Sequence, residues 1–260
     1  MKFSICLEMI FPELEFPERI DRVAEQGFDH IEFWGWTEKE IEAIQERLDR
    51  TSLGVTNFSA HRRSSPILAE DRLAFLEEVD ASLEMANQLG CNSLMLLSDA
   101  LTESSAAKPA DLPWEEAYLN LLRALEQAAA LAERDGLTLV IESLNLHDHP
   151  GYFLNRSRPA FQLIRTIGNP ALKVLYDIYH MQISEGNIIT TIRENIEAIG
   201  YFHAADVPGR GEPGSGELNY RNIFRAIQEA GYDRTIGFEF APIADDVTAL
   251  KAIRELIQAP

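Results

Sequence analysis

The chain has 260 residues, 46% of them hydrophobic, and a formal net charge of −19. That size can bury the core of one large α/β barrel or of two smaller domains, and no Pro/Ser-rich linker or low-complexity stretch divides it, so one domain over residues 1–260 is expected. The acidic balance argues against nucleic acid or an anionic membrane as partner, since both are bound mainly through Lys and Arg, and no run approaches the roughly 20 apolar residues of a membrane helix.

In chain order, the first apolar run, KFSICLEMI, predicts a strand. It is short for a secretory leader and has no small-residue cleavage site, and Cys6 and Cys91 both lie in apolar strand-like runs. Buried thiols in a reducing cytoplasm are therefore expected. Strand candidates follow at HIEFW, GVTNF, SLMLL, LTLVIE, KVLYD, YFHAAD and TIGFEF, eight in all with the first. Between them the apolar residues recur at helical spacing, as with Ile41, Ile44 and Leu48, then Leu76, Val79, Leu83 and Ala86, then Leu121, Leu125, Ala128 and Ala132. Thr37 to Glu40 has the form of a capping box at a helix start. Residues 104–113 read as a long loop. A glycine precedes each later strand, at Gly27, Gly54, Gly90, Gly136, Gly168, Gly200 and Gly231, where a helix turning to positive φ at its C-terminus favours one.

Eight strand-then-helix repeats with strands apolar on both faces predict an α/β fold, a (β/α)8 TIM barrel. A doubly wound sheet usually carries a glycine-rich phosphate loop after its first strand, and MIFPELEFPE has none. In a barrel the strand C-termini form the catalytic face. Glu142, Asp177, His203 and Glu239 sit at or near those ends on the last four strands. Each alone has a plain structural reading: a carboxylate capping a turn for Glu142 or Glu239, a helix N-cap for Asp177, a core histidine for His203. A buried charge is costly unless paired, so four in succession point to one shared divalent cation. Oxygen ligation with one nitrogen favours Mn²⁺, Mg²⁺ or Co²⁺ over a closed zinc site.

At these residues the chain resembles the hydroxypyruvate isomerase group of the xylose isomerase-like barrel superfamily, which also includes ketose 3-epimerases and inosose dehydratases. The segments that carry the resemblance are IESLNLHDHPGYFL, YDIYHMQISEGNI and RGEPGSGELNY. It implies that Glu142, Asp177, His203 and Glu239 hold the metal. It also implies a proton transfer between adjacent carbons of a small hydroxy-carbonyl substrate through an enediolate, with Glu142 and Glu239 as the groups that move the proton. Hydroxypyruvate is the leading substrate; the alternative is a ketose 3-epimerase, because epimerases usually carry His where this chain has His203. The resemblance places His180 and Asp148 on the substrate, and Arg210 is expected to bind a substrate carboxylate through two parallel hydrogen bonds. His61, after the third strand, is expected to line the pocket, and Asp206 and Glu212 to orient His203 and Arg210. His147 and His149 are expected in solvent, and His30 at the barrel's non-catalytic end. The superfamily fold also supports a multi-zinc DNA-repair endonuclease, but that activity needs more histidine ligands and a basic face, both missing here. A non-catalytic binding barrel and a homo-oligomer both remain open.

Overall fold

The computed structural model describes residues 1–101, 106 and 112–258, so the loop expected over 104–113 falls largely outside it. Eight parallel strands close into a barrel in chain order: β1 (Lys2–Cys6), β2 (His30–Phe33), β3 (Gly54–Ser59), β4 (Ser93–Leu96), β5 (Thr138–Glu142), β6 (Leu172–Asp177), β7 (Ile199–Ala204) and β8 (Thr235–Phe238), with β8 pairing back to β1. The helices around it are α1 (Phe16–Glu25), α2 (Ile41–Thr51), α3 (Arg72–Leu89), α4 (Trp114–Asp135), α5 (Ser157–Ile167), α6 (Ile178–Ser184), α7 (Ile188–Asn195), α8 (Tyr220–Glu229) and α9 (Asp246–Gln258). Among the described residues no helix is long and apolar enough to cross a membrane.

The main core lies between strands and helices. Helix α8 buries Tyr220, Ile223, Phe224 and Ile227, an i, i+3, i+4, i+7 stripe. Phe238 of β8 packs between Phe224 of that stripe and Phe3 of β1, with ring centroids 6.2 and 6.0 Å away. Burying one such ring contributes about 1.5–3 kcal/mol. Inside the barrel the alternation of the strands produces a polar layer instead. The Thr56 hydroxyl donates to Ser4 Oγ at 2.7 Å and lies 2.8 Å from the Tyr201 hydroxyl, which donates to Glu32.

Two of the expected glycine caps are absent. Gly54 is the first residue of β3, and Ser52 takes the left-handed position after α2, with φ 61°. Gly200 lies within β7, where a Cβ would stand 2.6 Å from Lys173 Cβ and 2.8 Å from Val140 Cγ1, so it serves close packing rather than a turn. The capping box at Thr37 also fails: α2 begins at Ile41, with Glu40 at the N-cap and no side-chain cap. Lys39 is drawn elsewhere, onto Glu8 at 2.7 Å and over the Phe16 ring at 4.2 Å.

Candidate active site

Parallel pairing brings the four strand-end residues together. Glu142 and Asp177 are the last residues of β5 and β6, His203 is paired with Asp177 across β6 and β7, and Glu239 directly follows β8. All four are buried, and one ligand atom from each lies within 4.8 Å of the others. His203 Nδ1 faces three carboxylates: Glu239 Oε2 at 3.1 Å, Glu142 Oε1 at 3.4 Å and Asp177 Oδ2 at 4.0 Å. Asp177 fills two roles, since its Oδ1 caps α6 by accepting from the His180 backbone N–H at 3.1 Å while Oδ2 faces the cluster.

Burial sets the electrostatics of the group. It pushes the carboxyl groups of Glu142 and Asp177 up, Asp177 to about 7 despite the pull of Arg210. Burial opposes ionisation of Glu239 as well, but Arg210 and His203 beside it hold this carboxyl well below the ordinary range. His203 is raised well above the usual imidazole value, because the facing carboxylates of Glu32 and Glu239 outweigh its desolvation.

Arg210 projects from the loop after β7 at φ 58°, a left-handed conformation that is strained for a side-chain-bearing residue. Its Nη2 donates to Glu239 Oε2 at 2.7 Å and stands 3.8 Å from Asp177 Oδ2, and the guanidinium lies over the Tyr179 ring at 5.3 Å. The Tyr179 hydroxyl donates to Asp148 Oδ2 at 2.7 Å, and Asn145 Nδ2 donates to the same oxygen at 3.0 Å. Burial would raise Asp148, but these two hydrogen bonds leave it lowered. Asp148 thus reaches Arg210 through Tyr179.

His180 is fully buried and neutral, since desolvation and then Arg210 drive its pKa well below the ordinary value. Its Nδ1 faces the Asn145 backbone N–H at 3.3 Å and Asn145 Nδ2 at 2.7 Å. A backbone N–H can only donate, so Nδ1 accepts and Nε2 carries the proton. That Nε2 has no hydrogen-bond partner and stands 3.6 Å from Asp177 Oδ2.

His61 is placed differently from its neighbours on the mouth. Its two ring nitrogens are engaged by the backbone of Ser64 and Leu97 at 3.2 and 3.1 Å, its ring packs edge-on to Phe75, and burial lowers its pKa to about 4. It borders a cavity of about 980 Å³ lined by Trp34, Trp36, Lys39 and Arg62, but it acts as a brace between β3 and β4. Asp206 does not reach His203; its carboxylate accepts from the backbone N–H groups of Val207, Gly214 and Leu218 and shapes the loop that carries Arg210. Nor does Glu212 orient Arg210, because it accepts from the Ile243 backbone at 3.0 Å. His147 is exposed, but His149 is buried, with its ring 5.2 Å from His180, because the loop after β5 folds back over the mouth. His30 opens β2, far from the catalytic end.

Sequence reasoning missed four residues of the site: Asn145, Tyr179, Glu32 and Trp34. Trp34 directly follows β2, and its Nε1 donates to Glu239 Oε1 at 2.7 Å. Glu32 Oε1 lies 3.1 Å from His203 Nε2. The rule that a buried charge needs a partner would have flagged Glu32 within HIEFW, whereas Trp34 carries no charge and its place at the end of that apolar run gives no such signal.

The donor set fits a divalent cation. Glu142 Oε1 and both ring nitrogens of His203 are buried without hydrogen-bond partners. When ionised, the four carboxylates of Glu32, Glu142, Asp177 and Glu239 face one guanidinium and one imidazolium, which leaves two negative charges uncompensated. Glu142, Asp177, His203 and Glu239 are the residues that would hold such an ion.

A closed parallel barrel with a buried, metal-capable carboxylate and imidazole group at its C-terminal mouth is a TIM barrel of the kind that does chemistry at its strand ends. More narrowly, the chain belongs to the xylose isomerase-like TIM barrel family, whose model matches residues 20–258. It is 32% identical to the hydroxypyruvate isomerase of Escherichia coli, over 93% of this chain and 94% of that protein. It is also 32% identical to the 2-oxo-tetronate isomerase of Cupriavidus necator, over 94% of each. Among solved structures, the AP endonuclease, family 2, of Brucella melitensis superposes with a TM-score of 0.89 at 28% identity, covering 98% of both chains.

Proposed function

We propose that this protein is a divalent-cation-dependent isomerase acting on a short 2-oxo hydroxy acid, most simply converting hydroxypyruvate to tartronate semialdehyde. The observation that carries this reading is the convergence of Glu142, Asp177, His203 and Glu239 within 4.8 Å, with the Arg210 guanidinium at their edge. The two isomerase relatives, named for hydroxypyruvate and 2-oxo-tetronate, support the substrate class. A bound Mn²⁺, Mg²⁺ or Co²⁺ would stabilise negative charge developing on two neighbouring substrate oxygens.

The chain's own groups do the rest. Arg210 has the fork geometry to take the substrate carboxylate, and the Tyr179 face beneath it limits where the guanidinium can swing. His180 offers its Nε2 proton to a substrate oxygen as a neutral donor whose tautomer is held by Asn145. Asp148 anchors Asn145 and Tyr179 and so supports both contacts. One of Glu142 and Glu239 takes the proton from carbon and the proton returns to the neighbouring carbon. Burial of Glu142, Asp177, His180, His203 and Glu239 keeps water from the reacting carbons.

A 3-epimerase of ketoses is the second reading, favoured by His203 in the donor set. Purified protein loaded with Mn²⁺, Mg²⁺ or Co²⁺ would be assayed against hydroxypyruvate and against ketohexoses, with EDTA-treated protein as reference. Turnover of hydroxypyruvate that EDTA abolishes is expected. Turnover of ketohexoses alone would replace the first reading with the second.

A further inference from the structure

Glu32 lies in the middle of β2, 2% exposed, inside the barrel beneath the strand-end cluster. Its Oε2 accepts from the Tyr201 hydroxyl. Its Oε1 makes no hydrogen bond and stands 3.1 Å from His203 Nε2, which makes none either. The approach is off the ideal donor axis, yet the two buried polar atoms face each other. The imidazole is thereby spanned: Nε2 looks down to Glu32 and Nδ1 looks up to Glu142, Asp177 and Glu239. Room for the carboxylate comes from Gly237 on β8, where a Cβ would lie 2.4 Å from both Glu32 oxygens. A strut between β2 and β7 needs no charge, and an apolar side chain would fill this space without the desolvation cost of a carboxylate.

We propose that Glu32 is a positioning residue that accepts the Nε2 proton of His203, fixing the tautomer and ring orientation in which Nδ1 is bare and turned toward the cation. A histidine that ligates through one nitrogen and donates from the other to a carboxylate is held in one tautomer and made more basic. The inference rests on the reading of Glu142, Asp177, His203 and Glu239 as a cation site. Gly237 is part of the same arrangement, two residues before Glu239, because it leaves the carboxylate its place.

The test uses the full chain as wild type, Glu32→Leu and Tyr201→Phe, each checked for folding by circular dichroism. Mn²⁺ affinity is measured by titration calorimetry, and the His203 Nε2–H signal is followed by ¹⁵N NMR in protein loaded with diamagnetic Mg²⁺. Loss of an outer hydrogen-bond partner of this kind typically weakens metal binding about 10–100-fold, and that loss is expected for Glu32→Leu together with loss of the slowly exchanging Nε2–H signal. Tyr201→Phe removes the other partner of Glu32, and its affinity and signal are expected to stay close to wild type. Should Glu32→Leu fail to fold, Gly237→Ala carries the test by displacing the carboxylate without removing it, with the same losses expected. Unchanged affinity, or an affinity loss with the His203 signal intact, overturns the positioning role. Failure of the wild type itself to bind Mn²⁺ or Mg²⁺ overturns the cation reading, and that result is read on the wild type alone.

Discussion

Asp177→Asn should make the cation-free protein more stable while removing its cation affinity. Burial raises the Asp177 carboxyl from 3.8 to about 7, so between these values the folded state holds a proton that the unfolded chain releases. A raised carboxyl pKa means stability that is fully present below 3.8 and lost as pH rises through about 7. Integrated over that window at 1.36 kcal/mol per pH unit, the ionised carboxylate costs roughly 4 kcal/mol. Asparagine matches the shape, can still accept from the His180 backbone N–H, and carries no charge. In EDTA at about pH 8 the variant should unfold in urea with a free energy about 2–4 kcal/mol above wild type, and near pH 4 the two should converge. Mn²⁺ at a hundred times its Kd should then return about 2.7 kcal/mol to the wild type and little to the variant. The measurement is far-UV circular dichroism across urea series at the two pH values, with and without Mn²⁺. A variant less stable than wild type at pH 8, or a gap that does not change with pH, would refute the argument that the fold tolerates this charge for the sake of a ligand.

His61 works in the opposite direction. Burial lowers its pKa from 6.5 to about 4, so its contribution is present above 6.5 and lost as pH falls through that window. The loss amounts to roughly 3 kcal/mol, and urea midpoints should fall more steeply on acidification in wild type than in His61→Gln; equal slopes would remove His61 from the account. Burial pushes both thiols up, Cys91 to about 12, and iodoacetamide should leave Cys6 and Cys91 unmodified in the native protein and label both in guanidinium chloride, as mass spectrometry would read. Gly200→Ala should destabilise by about 1–3 kcal/mol through overpacking against Val140 and Lys173, and a thermal midpoint at or above wild type would count against that packing.

The barrel was legible because its strands are short apolar runs set between amphipathic helices, and both periods survive in the sequence. What the pattern leaves open is which glycine caps a helix and which opens a strand. Ser52 and Gly54 show why: each precedes the apolar run, and only the backbone reveals that Ser52 takes the left-handed position. In the site, Glu142, Asp177, His203 and Glu239 were legible because charge at the end of an apolar run demands a partner. His149 was not, because a polar loop reads as solvated until its fold over the mouth is known. The roles given to Asp206 and Glu212 failed for a related reason, since backbone N–H groups satisfy them instead, in its own loop for Asp206 and at Ile243 after β8 for Glu212.

Glu32 and Trp34 expose the limit of reading strand ends alone. On a strand buried on both faces, a mid-strand carboxylate reads as an interruption of the apolar pattern, and only barrel closure shows that the interruption points inward. Closure also brings β2 round to β8 and β7, with only β1 between β2 and β8, so that Trp34 reaches Glu239 at 2.7 Å and Glu32 reaches His203 at 3.1 Å. The ligand candidates come from the second half of the chain, but two of the groups that aim them come from the first. A barrel that must hold four groups within 4.8 Å of one another therefore depends on contacts some 170 to 205 residues apart, and a strand-by-strand reading cannot register them.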